Sequence, residues 1–299
     1  MSAVIGDKFN VKVPATSANL GPGFDTLGMA LSFYDELDVE VVAGPGILIE
    51  AIGEGAGEVP TDESNLVARS IIHALNRFNA PTPGLKITAH NQIPHGRGMG
   101  SSGAAVVSGI VIAAQLLAPE IVLSSEQLLE LATELEGHPD NVAPALFGGL
   151  TIAWEDEQGP KHKKLIVHRG VTPLVLVPKN KMSTALARSL QPESVPHDDA
   201  VFNVSRSALL IAALVQSPEL LLAATEDKLH QNYRAAAMPD TNAMVQLLRR
   251  EGHAAVVSGA GPSVLVLASD PAERLAAAEE AVEVEHDRCD AAILFRLSK

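Results

Sequence analysis

Aromatic residues make up only 3% of the 299-residue chain, and Cys289 is its single cysteine. One cysteine cannot form an intramolecular disulfide, and no zinc-type ligand spacing occurs. Long apolar runs are also missing, because the most apolar stretch, 104–118, contains polar residues and ends at Pro119, too short to span a bilayer. The first twelve residues lack the apolar core of a signal peptide. We therefore expect a cytoplasmic protein with a core of Ala, Val, Ile and Leu.

Basic residues are outnumbered, with 22 Lys and Arg against 36 Asp and Glu, which gives a net charge of −14. A negative chain repels phosphate backbones and anionic lipids, so we expect neither a nucleic acid nor a membrane as partner. The charge does not exclude a single nucleotide, because backbone N–H groups and a bridging cation can hold phosphates locally.

Hydrophobic periodicity predicts strands and helices mixed without a regular βαβ alternation, which indicates an α+β fold. The predicted strands lie at 9–13, 37–43, 47–52, 85–89, 150–154, 174–177, 254–258, 263–268 and 291–297. The predicted helices lie at 65–79, 102–117, 124–136, 182–190, 198–215, 219–230, 241–251 and 272–283. The length suggests two domains. We place them at 1–158 and 159–299, since the polar segment 155–164 is typical of a linker or hairpin tip.

A glycine-rich segment, 94–103, precedes the predicted helix that begins near Ser102. Its glycines allow the backbone to fold closely around an anion such as a diphosphate, at a helix N-terminus. The P-loop pattern is absent because no lysine follows the glycines. A dinucleotide-binding pattern does match, but no acidic residue follows at the end of a second strand, so we reject it. A simple turn remains the alternative.

Two further loops carry small and polar residues. Segment 14–25 follows the first strand and contains Asn19 and Asp25, although an Asx-type turn would explain it equally well. Segment 258–263 lies between two apolar strands, where a hairpin turn is the alternative.

Together, and in this order, the three loops resemble the motifs of the GHMP superfamily, which includes galactokinase, homoserine kinase, mevalonate kinase and phosphomevalonate kinase. Met99 stands where the second motif usually has leucine, a change that conserves volume. The resemblance implies a two-domain fold. Its N-terminal domain would be like the second domain of ribosomal protein S5, and its C-terminal domain would be ferredoxin-like and α+β.

Segment 135–144 and the first loop resemble homoserine kinases in particular. This resemblance implies that Asn141 lies at the acceptor hydroxyl, where other superfamily members have an aspartate, beside His138 and Asp140. It also implies an amino-acid pocket lined by Asn19, Asp25, Thr184, Arg188 and Arg234. Arginine suits a carboxylate because its guanidinium binds in a bidentate manner. A solvated helix face is the alternative for each arginine.

The same resemblance implies ATP and Mg²⁺ as the cofactors. The implied ATP site comprises Asn65, Pro94, Gly96, Arg97, Gly98, Met99, Gly100, Ser101, Ser102, Gly103, Gly259 and Gly261. The implied Mg²⁺ ligands are Ser102 and Glu136, with Glu134 as the second candidate. Asn65 could instead be a helix N-cap. We expect Asp35, Glu36 and Asp38 on a solvated strand edge.

The implied activity is phosphorylation of L-homoserine by ATP to O-phospho-L-homoserine, in threonine biosynthesis from aspartate. L-homoserine and ATP are then the expected small-molecule partners, and a homodimer stays open. The alternatives are a related kinase acting on mevalonate or shikimate, a dinucleotide-dependent oxidoreductase, and a non-catalytic nucleotide-binding protein.

Overall fold

The computed structural model describes residues 4–284 and 289–294. The first sheet has the strand order β3-β4-β2-β5-β6, and β1 pairs with β2 outside this path. Its strands are β1 (Lys8–Ala18), β2 (Leu27–Val42), β3 (Ile47–Gly53), β4 (Gly84–Asn91), β5 (Leu150–Asp156) and β6 (Gly159–Leu165). β1 and β2 are antiparallel, with Val11 opposite Leu37. In the first half of β1, Val11 and Val13 are buried between exposed residues, so one face of this part builds the core, and the second half is buried on both faces.

Four helices form a layer beside this sheet. They are α1 (Leu66–Arg77), α2 (Ser101–Leu117), α3 (Ser125–Glu136) and α4 (Pro139–Phe147). α2 is apolar around most of its circumference, and its central residues are buried between its neighbours. α1 approaches α2 closely at Gly109, where a Cβ atom would lie 2.5 Å from the Cβ of Ser70. The glycine-rich loop therefore leads into the most deeply buried helix of this half.

The second sheet has the strand order β10-β7-β9-β8. Its strands are β7 (Thr172–Pro178), β8 (Ala255–Val257), β9 (Val264–Ala268) and β10 (Cys289–Leu294). The helices of this half are α5 (Thr184–Ser189), α6 (His197–Val215), α7 (Leu221–Ala224), α8 (Gln231–Arg234), α9 (Pro239–Arg250) and α10 (Pro271–Val284), with 3-10 turns at Pro218–Leu220 and Ala235–Ala237. This antiparallel order is ferredoxin-like, and the predicted α+β class is confirmed.

Several elements differ from the sequence-based expectations. β1 continues to Ala18, so the first half of the first motif is strand rather than loop. α4 was not predicted, and the helix predicted at 219–230 ends at Ala224. Asp35 is buried at 6% exposure and accepts hydrogen bonds from the backbone N–H groups of Gln92 and Ile93, so its expected place on a solvated edge is wrong.

The predicted polar segment 155–164 forms the β5–β6 hairpin. The domain division at residue 158 stays a prediction. β6, which begins directly after this residue, pairs with β5 and so belongs to the first sheet. The predicted end of the last strand, 295–297, lies outside the described residues. Within the described residues, no helix combines the length and the apolar character needed to cross a membrane.

Candidate active site

The glycine-rich loop adopts a backbone that requires glycine. Gly96, Gly98 and Gly100 have φ angles of +68°, +69° and +70°, in the left-handed region. A Cβ atom on Gly98 would lie 2.2 Å from the carbonyl oxygen of Ser258, and one on Gly100 would lie 1.9 Å from the Thr16 Oγ1 atom. The loop therefore fits tightly between the first and third loops of the site.

α2 begins at this loop with its N-terminal N–H groups uncapped by any side chain. Its N-cap residue is Gly100, and its first turn contains no acidic residue. The first N–H groups of a helix have no partner within the helix, and the helix dipole adds positive potential there. Met99 is buried at 1% exposure and its carbonyl accepts a hydrogen bond of 3.0 Å from the Thr16 N–H, which anchors the loop. The arrangement suits an anion at the start of α2.

Ser102 and Glu136 meet beside the start of α2. The Ser102 hydroxyl donates to Glu136 Oε2 at 2.9 Å. Burial raises the pKa of Glu136, although the hydrogen bond from Ser102 opposes this shift. Glu134 instead pairs with His73 Nε2 of α1 at 2.8 Å. The two glutamates therefore face different neighbours, and Glu136 is the one that lines the cleft.

The start of α4 brings three predicted residues together. His138 Nδ1 and Asp140 Oδ1 are 2.5 Å apart, and Asp140 is 2% exposed. Burial lowers the pKa of His138, but the hydrogen bond and the charge of Asp140 outweigh burial and raise it. The Thr16 hydroxyl donates to Asn141 Oδ1 at 2.9 Å. Asn141 Nδ2 has no hydrogen-bond partner within the part of the chain that the structure describes, so its N–H group is available to a ligand.

Asp25 and Arg188 form a bidentate ion pair across the cleft. The Arg188 Nη2 atom is 2.9 Å from Asp25 Oδ1, and Nη1 is 3.2 Å from Oδ2. Their side chains are 36% and 39% exposed, so the pair is open to solvent. Asp25 has a φ angle of +53° and its N–H donates to Asn19 Oδ1 at 3.0 Å. The first loop therefore fixes the acidic partner, and α5 supplies the basic one.

Arg234 lies deeper in the same cleft, at 2% exposure. Its Nε donates to the Ala187 carbonyl at 3.2 Å, and its Nη1 atom is 3.4 Å from the Gly259 carbonyl. No carboxylate of the described residues lies within 4.0 Å of its guanidinium. Burial lowers the pKa of Arg234, and the charge of Asp25 opposes this. A buried guanidinium without a carboxylate is a favourable place for an anionic ligand group.

The third loop closes the cleft from the C-terminal half. The Asn19 side chain donates to the Gly259 carbonyl at 2.9 Å, and the hydroxyls of Ser17 and Ser258 are 2.9 Å apart. Ser258 also donates to the Gly98 carbonyl at 2.6 Å. Asn19 thus joins the first and third loops through its amide nitrogen and holds the backbone at Asp25 through its oxygen, which indicates a role in holding the site together.

A second, mainly apolar cavity lies beside the first and shares Ser101 and Ser102 with it. Its walls include Leu37, Ile49, Val59, Pro60, Val67, Ala89 and Ala105. Asn65 lines this cavity, but its side chain caps α1 by accepting from the Val67 N–H at 2.9 Å and donates to the Pro60 carbonyl at 2.7 Å. Its polar groups therefore stabilise the wall of the cavity.

Most residues predicted for the site line one cleft. They are Asn19, Asp25, Pro94, Gly96, Arg97, Gly98, Met99, Gly100, Ser101, Ser102, Glu136, His138, Asp140, Asn141, Thr184, Arg188, Arg234, Gly259 and Gly261. Gly103 lies next to it, where its Cβ position would be 3.3 Å from the Asn141 Cβ. Sequence reasoning did not single out Thr16, Met182 or Ser183. Within the described residues, no group of three or more His, Cys, Asp or Glu side chains is arranged to hold a metal ion.

Known proteins match this chain along nearly its whole length. The family model described as "GHMP kinases N terminal domain" matches residues 65–149, and the model described as "GHMP kinases C terminal" matches residues 209–285. Homoserine kinase of Clavibacter michiganensis subsp. michiganensis (strain NCPPB 382) is 70% identical, over 93% of this chain and 88% of that protein. Homoserine kinase of Leifsonia xyli subsp. xyli (strain CTCB07) is 68% identical, over 91% and 84%. The chain belongs to the homoserine kinase family.

Solved structures agree with this placement in the homoserine kinase family. Homoserine kinase from Cytophaga hutchinsonii ATCC 33406 is 25% identical, with a TM-score of 0.88 over 100% of this chain and 97% of that one. The L. major mevalonate kinase solved in complex with R-mevalonate is 17% identical, with a TM-score of 0.71 over 99% and 98%, and shares the fold. The expected GHMP kinase fold is confirmed.

Proposed function

We propose that this GHMP kinase transfers the γ-phosphoryl group of ATP to the side-chain hydroxyl of L-homoserine. The products are O-phospho-L-homoserine and ADP, and the step belongs to threonine biosynthesis from aspartate. Homoserine kinases at 70% and 68% identity support this activity. The observation that carries the acceptor assignment is Arg234, a guanidinium at 2% exposure that lines the cleft beside the glycine-rich loop.

The charges of the cleft suit a zwitterionic amino acid. Its carboxylate would bind Arg234 and Arg188, and its ammonium would bind Asp25. Asp25 and Arg188 pair with each other across the cleft, and this pair is open to solvent. A bound amino acid would replace it with two ion pairs, one between its ammonium and Asp25 and one between its carboxylate and the arginines. Thr184, at the start of α5, lies within reach of the same pocket. Mevalonate and shikimate lack the ammonium group and would leave Asp25 without its ligand partner.

The triphosphate would lie along the glycine-rich loop at the N-terminus of α2. The apolar cavity next to Ser101 and Ser102 has the position and walls expected for the adenine. Ser102 and Glu136 fit Mg²⁺, since hard cations take oxygen ligands and Mg²⁺ usually binds one or two protein groups together with phosphates. A magnesium ion held by these two side chains would supply positive charge next to the phosphate groups.

Positioning and charge stabilisation supply most of the catalysis in phosphoryl transfer, because its transition state is loose. Asn141, held through Oδ1 by Thr16, would orient the acceptor hydroxyl with its free N–H group. An asparagine cannot accept the hydroxyl proton at neutral pH. His138 and Asp140, which pair with each other directly before Asn141, are the local titratable groups that remain for accepting this proton.

The proposal is tested by ADP release from Mg²⁺-ATP with L-homoserine, L-serine, mevalonate and shikimate as acceptors. We expect the highest kcat/KM with L-homoserine, and phosphorus NMR should identify a phosphate ester on the side chain. A higher kcat/KM with mevalonate or shikimate would contradict the acceptor assignment. Cell fractionation would test the expected cytoplasmic location. Light scattering would test whether the protein forms a homodimer.

A further inference from the structure

His230 lies directly behind Arg234 and is fully buried, at 0% exposure. Its Nε2 atom is 2.7 Å from the Gly21 carbonyl oxygen, and its Nδ1 atom is 3.4 Å from Arg234 Nη1. The imidazole ring stacks on Phe24 with 4.9 Å between ring centroids, and the Arg234 guanidinium lies 5.2 Å from the same ring. His230 therefore joins Arg234 to the loop that carries Asp25.

The two neighbours of the ring determine where its proton lies. A carbonyl oxygen only accepts, so Nε2 carries the proton that is donated to Gly21. A guanidinium only donates, so Nδ1 is unprotonated and accepts from Arg234. Both contacts are satisfied only by a neutral imidazole protonated on Nε2. A second proton on Nδ1 would place two cations against each other in a buried site.

The charged groups around His230 are consistent with this neutral form. Burial lowers its pKa, and the charge of Arg234 lowers it further, against the raising effect of Asp227 and, more weakly, Asp25. Asp227 Oδ2 is 3.6 Å from Nε2. The Asp227 carboxylate already accepts three backbone N–H groups, those of Leu229 at 2.9 Å, His230 at 3.1 Å and Gln231 at 2.8 Å. It therefore fixes the start of α8 as well as facing the ring.

We propose that His230 is a positioning residue, which holds Arg234 through its unprotonated Nδ1 atom in the place where Arg234 binds the acceptor's carboxylate. This inference rests on the proposed function, because it takes the carboxylate of L-homoserine as the ligand of Arg234. His230 itself lines neither the nucleotide cavity nor the phosphate loop. Its loss should therefore affect binding of the acceptor and leave binding of ATP nearly unchanged.

Two conservative variants separate the two hydrogen bonds of the ring. His230→Asn places a carbonyl oxygen near the Nδ1 position and retains the acceptor for Arg234. His230→Gln places an amide nitrogen near the Nε2 position, which retains the donor to Gly21 and loses the acceptor. We expect His230→Gln to raise KM for L-homoserine about tenfold, with kcat and KM for ATP within about twofold. His230→Asn should keep KM for L-homoserine within about threefold of the wild type.

A double-mutant cycle shows whether the effect passes through Arg234. In an Arg234→Leu background, His230→Gln should produce no further rise in KM for L-homoserine. An equal rise in both backgrounds, or equal rises in KM for ATP and for L-homoserine, would mean that His230 only stabilises the fold. No change in KM with His230→Gln in the wild-type background would also overturn the inference.

A measurement without substrate keeps the inference separate from the proposed function. In the full chain labelled with ¹⁵N-histidine, the signals lost in His230→Gln assign the ring nitrogens of His230. We expect a protonated Nε2 and an unprotonated Nδ1 at pH 7, and a protonated Nδ1 would overturn the inference whatever the acceptor is. A wild-type enzyme with this tautomer that does not phosphorylate L-homoserine would contradict only the proposed function.

Discussion

At the scale of single residues, Arg234 combines deep burial with a lack of carboxylate partners among the described residues. Carbonyl groups solvate the guanidinium only partly, so a ligand carboxylate would complete its hydrogen bonds. We predict that Arg234→Leu raises KM for L-homoserine about 10- to 100-fold, the range expected for losing a charge-assisted hydrogen bond of about 1.5–3 kcal/mol. Steady-state kinetics with each substrate varied would measure this.

Arg206 provides a control for this prediction. It pairs with Glu226 at 2.7 Å and lies outside the cleft. Arg206→Leu should leave both KM values within about twofold, because partly exposed ion pairs contribute little. If Arg234→Leu raised KM for ATP as much as KM for L-homoserine, Arg234 would not be the ligand of the acceptor's carboxylate.

Thr16 has no exposed surface, and its hydroxyl orients the Asn141 side chain. Thr16→Val keeps the shape of the side chain and removes the hydrogen bond. We predict a fall in kcat of about five- to tenfold with little change in KM for ATP, since a neutral hydrogen bond contributes about 1 kcal/mol. Thr151→Val, which removes a buried hydroxyl that donates to Gly28, should leave kcat unchanged. Equal effects of the two variants would argue against a role for Thr16 in positioning Asn141.

Sequence reasoning identified most residues of the cleft because the motifs are local, and glycine patterns report backbone geometry directly. The N-cap offered as the alternative for Asn65 is the contact that its side chain makes, and it is local in sequence. Sequence reasoning could not show that Asp25 and Arg188 pair with each other, because that contact depends on the packing of segments that are distant in sequence. Thr16 could have been found, since it lies in the first motif, but a buried threonine in a strand looks like an ordinary core residue.

At the scale of elements, the C-terminal end of α3 presents two glutamates to different partners. Glu136 meets Ser102, whereas Glu134 meets His73. We predict that Glu136→Gln raises the Mg²⁺ concentration required for half-maximal activity about tenfold or more, because an amide oxygen lacks the charge that holds a divalent cation. Glu134→Gln is the matched control and should change this concentration less than twofold. Activity titrated with Mg²⁺ at fixed ATP would decide between the two, and the reverse result would assign the metal to Glu134.

The element boundaries show what local patterns miss. The helix predicted at 124–136 is α3, and a capping box of Ser124 and Gln127 fixes its start. α4 was missed because Pro144 lies inside it, although proline at the first helical position with an acid beside it signals a helix start. β6 was missed because it is polar and not fully buried, and its pairing with β5 rather than its apolar content makes it a strand. Tertiary contacts therefore decide the weakly patterned elements.

At the scale of the whole molecule, stability should depend on pH through His138. Its pKa is raised in the folded state, so its interaction with Asp140 contributes stability fully below the ordinary pKa of about 6.5 and loses it as pH rises through the folded value. We predict that the difference in unfolding free energy between wild type and His138→Gln is largest below pH 6.5 and shrinks above it. Urea unfolding across pH would measure this.

His162 gives a control of opposite sign. Burial lowers its pKa, so the wild type should lose stability relative to His162→Gln as pH falls below about 6.5. Parallel pH trends for the two variants would show that the titration of His138 is not the source of the effect.

The hydrogen bonds that join the three loops have a consequence for how the enzyme forms. They link residues 160, 240 and 241 positions apart in the chain. Contacts at such separations form late, because the entropy of closing long loops must be overcome first. A partly folded chain can therefore contain most of its helices and still have no site for either substrate. During synthesis the cleft closes only after the third loop, 258–263, has been made, so enzymatic activity requires most of the chain to be in place.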